Sequence, residues 1–451
     1  MIRVLSILSI IILVACQSSN EGKNTENKQV NTALPEWAKS ANIYEVNIRQ
    51  YSEEGTINAF AKDLPRLKEM GVDILWFMPI YPISTTKKKG TLGSYYSVSD
   101  FTKINPEFGT MDDVDTMIKQ IHDLGMKVIL DWVPNHTGWD HHWIKDHSDW
   151  YTKNDQGEII DPHNDEGKSH GWSDVADLNY NSKEMRAETL RQLEWWIVEK
   201  DIDGYRMDIA FGVPLDFWHE VRDRLYSIKP IFMLAESDVA EHRNDSIFHS
   251  TYGWNLFHVM NDIAKGEKTV QDFKNIHQEN HNKFNKGNTL LFTSNHDENA
   301  WNGSAPERLG KGKEGWAATM ALLDGIPLIY SGMEEPMTKR LEFFEKDTIG
   351  FKNYELASFY KELFTIKKNN SCLYNAPFGA TASWIPNIDE RVLAFTRKDD
   401  KSQVSFFFNT SSEPIVIETK LLHGVDQESK VKLTDVSSEL LPHSYLIVKN
   451  I

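Results

Sequence analysis

Cysteine is nearly absent from this chain: Cys16 and Cys372 are its only two in 451 residues. Two cysteines cannot build a disulfide framework, so the fold must rest on a packed core, and Cys372 reads as a plain buried thiol. Positive charge is also short, with 49 Lys and Arg against 66 Asp and Glu and a net charge of −17. A surface this acidic excludes nucleic acid and anionic lipid as ligands and suits a neutral one, such as a sugar. The apolar run at residues 4–14 is too short to span a bilayer comfortably. No internal repeat appears beyond the alternation described below. Against these shortages stand 40% hydrophobic and 25% charged residues, the balance of a folded globular protein. There are 14 tryptophans. Their faces suit sugar rings, but they also fill cores.

The first 16 residues read as an export signal, with Arg3 ahead of the apolar run and Leu13-Val14-Ala15-Cys16 at its end. The pattern resembles a bacterial lipoprotein signal, in which the cysteine is lipidated and begins the mature chain. An ordinary secretory signal is the plainer alternative. Residues 17–33 are Ser, Asn, Lys, Glu and Gln with little that is apolar, a flexible tether. The expectation is an exported protein held to a bacterial membrane through Cys16, touching the membrane only there. The membrane face and the oligomeric state are left open.

From residue 43 onward, apolar strand-like runs alternate with helical faces, the first marked by Ile57, Phe60, Ala61, Leu64 and Leu67 and stopped by Gly71. Runs at 43–50, 72–80, 127–133, 204–208, 231–235, 289–293 and 326–331, with a weaker one near 253–259, make eight βα units. Strands apolar on both faces belong to parallel sheets, and eight such units predict a (β/α)₈ barrel over residues 34–376. Residues 137–177, rich in His, Trp, Asp and Gly, are too long for an ordinary loop and predict a small inserted domain. Residues 377–451 change to short alternating strands, a separate all-β sandwich.

The chain is organised around Gly204-Tyr205-Arg206-Met207-Asp208. Arg206 and Asp208 are two apart and share a strand face. A guanidinium there lowers the carboxyl pKa and keeps it ionised, as a nucleophile needs. Alone, the pair reads equally well as a structural ion pair. Three further stretches shift the balance: Asp131-Trp132-Val133-Pro134-Asn135-His136, Leu234-Ala235-Glu236-Ser237 and Ser294-Asn295-His296-Asp297. Barrels of this kind carry their chemistry at the C-terminal strand ends, so Asp131, His136, Arg206, Asp208, Glu236, His296 and Asp297 are expected at one mouth.

In order, these stretches resemble the four signature regions of the α-amylase family, glycoside hydrolase family 13. Ala176-Asp177-Leu178-Asn179 resembles its additional motif, Gly93 to Asp100 its stretch after strand two, and Gly325 to Gly332 its eighth strand. The resemblance implies that Asp208 is the nucleophile, Glu236 the general acid/base and Asp297 the carboxylate steadying the distorted sugar. It implies that Tyr96 is an aromatic platform, that His136 and His296 donate to sugar hydroxyls, and that Asp131 and Arg206 fix the nucleophile. The apolar residues before Glu236 suit a carboxyl held protonated. The substrate implied is an α-glucan or maltooligosaccharide, cleaved with retention and with no cofactor needed for the chemistry.

The chain also departs from the pattern. Phe211-Gly212 stands where many α-amylases carry Lys-His, so contacts to the leaving-group sugar must differ. Asn135 matches a ligand of a structural calcium, with Asp155, Asp161, Asp165 and Asp174 as unranked partners. The loop Ser52-Glu53-Glu54-Gly55 is too short for the Asp-rich calcium loop of some relatives. Competing readings are an α-glucosidase or transglycosylase on short α-glucosides, a sugar-binding lipoprotein that lost catalysis, and a zinc hydrolase built on His141, His142 and His147. The last lacks the H-E-x-x-H pattern.

Overall fold

Side-by-side pairing of the apolar runs closes a barrel in the computed structural model, which describes residues 31–164, 166–418 and 437–450. In chain order come β1 (Ile43–Val46), β2 (Ile74–Phe77) and β3 (Lys127–Trp132). An antiparallel pair, β4 (His136–Gly138) and β5 (Val175–Asp177), then ties together the two ends of the insert. The barrel resumes with β6 (Gly204–Met207), β7 (Phe232–Ala235), β8 (Ser250–Tyr252), β9 (Asn288–Phe292) and β10 (Ile326–Tyr330). All eight barrel pairings are parallel, and β1 closes on both β2 and β10.

Period-2 alternation explains why this core is apolar below and charged above. Residues two apart share a face. Ile43 and Ile129 join the hydrophobic core, while Glu45 and Asp131, one pleat further on, are buried charges. On β6 the same step runs from Gly204 to Arg206. Gly204 is required there: its φ is +146°, and a Cβ would stand 1.8 Å from the carbonyl oxygen of Phe232 on β7. Outside the barrel, helices bury single faces. Helix Met111–Asp123 starts with a Thr110/Asp113 capping box and buries Val114, Met117, Ile118 and Ile121.

Three expected boundaries change. β1 ends at Val46, because Asn47 caps a short helix, Ile48–Tyr51. The helical face at 57–67 divides into Ile57–Ala61 and Leu64–Met70, with Pro65 at the start of the second. The weak sixth strand is not at 253–259. Those residues open helix Trp254–Lys265, which buries Leu256, Phe257, Val259 and Met260 at helical spacing, and the strand is the short polar Ser250–Tyr252 just before it.

The C-terminal region is an antiparallel sheet of β11 (Ser383–Trp384), β12 (Val392–Lys398), β13 (Gln403–Asn409) and β16 (Tyr445–Asn450), together with the pair β14 (Ile415–Glu418) and β15 (Ser437–Leu440). Val392, Ala394, Phe407, Leu446 and Val448 pack on Ile415, Ile417 and Leu440. The alternate residues Leu393, Phe395, Phe406 and Phe408 face the other way and join the barrel's core, with Phe408 edge-on to Trp316 at 5.2 Å. No helix among the described residues is long and apolar enough to cross a membrane.

Candidate active site

Arg206 is the hub of the barrel mouth. The β3–β6 register sets it beside Asp131. Its Nη1 donates to Asp131 Oδ1 at 3.0 Å and to Asp208 Oδ1 at 2.6 Å. Its Nη2 lies 3.0 Å from Glu236 Oε2, and its Nε donates to the Tyr252 hydroxyl at 3.2 Å. One buried guanidinium thus serves three carboxylates from three adjacent strands. Trp76 Nε1 and the Tyr96 hydroxyl both donate to Asp131 Oδ2, at 3.1 and 3.2 Å.

Asp208 is held by one oxygen only. Oδ1 takes the Arg206 bond, while Oδ2 is buried with no hydrogen-bond partner. Pairing with Arg206 in the sequence predicted a lowered pKa. The structure reverses the sign: burial pushes the Asp208 carboxyl well above the usual range, and the pull of Arg206, opposed by Glu236 and Asp131, does not overcome it. Burial likewise pushes Asp131 up to about 6 against the same guanidinium. Burial thus outweighs the shared cation at both Asp208 and Asp131, and protons on groups this close belong to the cluster rather than to one residue.

Glu236 has no cation beside it in sequence, but Arg206 reaches it through space. Its other contact is the Ile209 backbone N–H, which donates to Oε2 at 2.9 Å. Ile209 sits in the left-handed region at φ 44° and ψ 44°, rare for a β-branched residue. Both contacts fall on Oε2. An oxygen that accepts a backbone N–H and pairs with a guanidinium is not the protonated one, so a proton on this carboxyl sits on Oε1.

On the opposite wall His296 is held between acids. Its Nδ1 bonds Glu45 Oε1, and its Nε2 lies 2.8 Å from the Tyr96 hydroxyl and 3.3 Å from Asp297 Oδ2. Burial opposes charge on the ring, but Asp297 and Glu45 outweigh it and lift the pKa to about 9. Both ring nitrogens then donate at neutral pH. The Tyr96 ring stacks on His296 at 5.3 Å and 22°. Asp297, with its side chain 37% exposed, opens toward solvent, where Trp301 Nε1 donates to it at 3.3 Å. Trp301 packs on Phe343 at 5.2 Å, so an aromatic wall runs outward from Tyr96.

His136 is buried, and burial holds its pKa down at about 4, leaving a neutral ring. Its Nδ1 lies 3.2 Å from Asn135 Oδ1. That contact bears on the calcium implied at Asn135. The Asn135 amide is engaged on both sides, by His136 and, at 3.5 Å, by the Gly212 carbonyl. Asp174 is paired with Lys89 at 2.8 Å, Asp161 bonds Ser169, Asp155 lies in an exposed turn and Asp165 lies outside the described residues. Among the described residues no group of three acidic or imidazole ligands converges at Asn135. The donors do not fit an ion that needs six to eight oxygens.

The zinc alternative also fails on geometry. His141 accepts from the Trp143 N–H at a helix start, and His147 stacks on Trp150 at 4.0 Å. The sequence reading missed Glu45, Trp76, Ile209, Tyr252, Trp301 and Phe343. Glu45 left one trace, a carboxylate inside an apolar strand run.

A family model described as the alpha amylase catalytic domain matches residues 19–408. Alpha-amylase 3 of Dictyoglomus thermophilum is 28% identical over 337 residues, covering 66% of this chain and 64% of that protein, so less than two thirds of that relative is spanned. The oligo-1,6-glucosidase of Bacillus cereus is 25% identical, covering 72% of this chain and 70% of its own. The crystal structure of an alpha-amylase from Lactobacillus plantarum superposes with a TM-score of 0.80 at 28% identity, covering 92% of this chain and all of that one.

Proposed function

Since the chain belongs to the α-amylase family of glycosidases, we propose that it hydrolyses α-glucosidic bonds, α-1,4 bonds above all, in starch-type glucans or maltooligosaccharides, with retention of configuration. The observation that carries this reading is the division of Arg206 between Asp208 and Glu236. It fixes two carboxyls on one mouth and leaves a free oxygen on the first.

In this mechanism Asp208 Oδ2 attacks the anomeric carbon as the glycosidic C–O bond breaks. Glu236 Oε1 gives its proton to the departing oxygen. In the second half, Glu236 takes a proton from water, and that water displaces Asp208 from the sugar, completing two inversions. Attack requires the proton on Glu236 and Asp208 ionised against Arg206. As Glu236 releases that proton it gains negative charge, so its contact with the guanidinium strengthens while that of Asp208, spent on the new bond, weakens. Tyr96 offers its ring face to the sugar. The charged His296 and the carboxylate of Asp297 bind hydroxyls beside it, while His136, whose Nδ1–H is engaged by Asn135, accepts from a hydroxyl at Nε2. No cofactor takes part in any step.

The test is the anomer released first. Proton NMR of maltooligosaccharide hydrolysis is expected to show α-configured reducing ends before mutarotation. Early β-anomer would mean single displacement and would overturn the reading.

A second reading, an α-glucosidase or transglycosylase on short α-glucosides, draws on Phe211, which is 54% exposed. Phe211-Gly212 supplies no cation to a leaving-group sugar. In the same time courses, a shallow rise of kcat/KM from maltotriose to maltoheptaose favours the short-substrate reading, and a steep rise favours long glucans.

A further inference from the structure

Far from this mouth, two histidines and an aspartate aim at one point. His277 and His281 are one turn apart on helix Val270–Lys283. Asp324 lies two residues before β10, at the N-terminal end of the barrel, the end opposite the carboxylate cluster. Asp324 Oδ1 is 2.8 Å from His277 Nε2, and Oδ2 is 2.8 Å from His281 Nε2. The two Nε2 atoms stand 3.3 Å apart. Among the described residues this is the group of three ligand atoms that converges within 4.8 Å.

From this geometry we infer a structural zinc site formed by His277, His281 and Asp324.

The imidazole spacing argues for a metal over hydrogen bonding alone. If each Nε2 carries a proton to Asp324, two like donors crowd together at 3.3 Å. A single ion removes both protons. Two nitrogens each about 2.0–2.1 Å from tetrahedral zinc lie about 3.3–3.4 Å apart. A His pair four apart on one helix face is also a common way to present two such ligands. The aspartate is held for the purpose. Arg397 donates to the carbonyls of Leu322 and Leu323, and Lys367 donates to that of Gly325. Both side chains thus fix the turn's backbone and leave the carboxylate oxygens to the histidines. Trp384 of the C-terminal sheet packs edge-on to His277 at 5.1 Å, shielding one side. His281 is about a third exposed, which leaves a route for the ion and a fourth position for water. Zinc here would clip the helix to the turn entering β10. In barrels, this end carries stability and the other carries chemistry.

The test uses the full chain, stripped with chelator and titrated with zinc chloride by calorimetry, with bound metal counted after dialysis. One equivalent per chain is expected, together with a melting temperature that rises with zinc concentration. H281A, at a position about a third exposed, and D324N should each bind at least tenfold more weakly and lose the thermal shift. H142A, in the insert, should keep both. H277A is less informative, because that ring is buried. Failure of the wild type to retain zinc would overturn the site. So would retention by H281A and D324N, or loss in H142A alone.

Discussion

The backbone N–H of Ile209 donates to Glu236 Oε2 at 2.9 Å from a left-handed conformation. The turn after β6 therefore aims a donor at the carboxyl that ends β7, and a β-branched residue bears the strain. Such strain costs about 1–3 kcal/mol. Ile209→Gly relieves it and keeps the N–H, but it loses a partly buried side chain worth about 1–2 kcal/mol. The two offset. Urea unfolding of Ile209→Gly is expected within about 1 kcal/mol of wild type, with kcat reduced tenfold or less. A loss beyond about 3 kcal/mol would mean that side-chain packing, not backbone aim, explains the residue.

Arg206 should not tolerate a lysine. Lysine keeps one charge but lacks the fork that reaches Asp131, Asp208 and Glu236 at once. For Arg206→Lys, kcat is expected to fall about 10²–10³-fold, the scale of losing a preorganised electrostatic contact, with an unchanged circular dichroism spectrum. Arg206→Ala strands the buried carboxyls of Asp131 and Asp208 and the partly buried one of Glu236, and should cost about 3–5 kcal/mol of stability. Near wild-type turnover in Arg206→Lys would remove the guanidinium from the mechanism.

His296 makes stability depend on pH with a definite sign. Its folded pKa of about 9 stands above the ordinary 6.5. Its contribution is therefore complete below pH 6.5 and is lost as pH rises through 9. At about 1.4 kcal/mol per pKa unit this is on the order of 3 kcal/mol. The gap in unfolding free energy between wild type and His296→Asn should be widest at pH 6 and shrink by pH 9.5. A gap that stays constant across that range would show a ring that does not titrate there.

Parallel strands buried on both faces are long apolar runs, so seven of the eight barrel strands and the residues that end them could be read directly. β8 could not, because Ser-Thr-Tyr carries no apolar signal and is held by its neighbours. The direction of the Asp208 pKa shift was misread for a similar reason. Sequence shows the guanidinium two residues away, but not the burial or the two further carboxyls that share it. Ile209 gave no warning, since nothing local marks a left-handed isoleucine. His277 and His281 show a helical i, i+4 spacing, yet their partner Asp324 is over forty residues on. Only the barrel's closure brings it near.

Cys16 lies outside the described residues, and the anchoring proposal rests on Leu13-Val14-Ala15-Cys16. A single acyl chain binds membranes marginally, whereas two or more hold firmly. Labelled fatty acid should be incorporated by wild type and not by Cys16→Ala, and wild type should enter the detergent phase on phase separation. Wild type that partitions wholly into the aqueous phase would sink the proposal.

The assignment of Asp208 and Glu236 can be tested by stereochemistry. Asp208→Ala removes the attacking oxygen but leaves the proton donor and the Arg206–Glu236 contact. Azide, admitted to the vacated space, then displaces the leaving group of an activated α-glucosyl substrate in one inversion, and the product is β-glucosyl azide. Glu236→Ala leaves Asp208 intact. With a leaving group that needs no protonation, the covalent intermediate still forms. Azide, which needs no general base, then opens it in a second inversion, giving α-glucosyl azide. Both variants should lose kcat on maltooligosaccharides by several orders of magnitude, so loss of activity alone does not separate the roles. The anomeric coupling constant of the azide does. An α-azide from Asp208→Ala, or a β-azide from Glu236→Ala, would show that the roles are exchanged and that the oxygen without a partner on Asp208 is not the nucleophile.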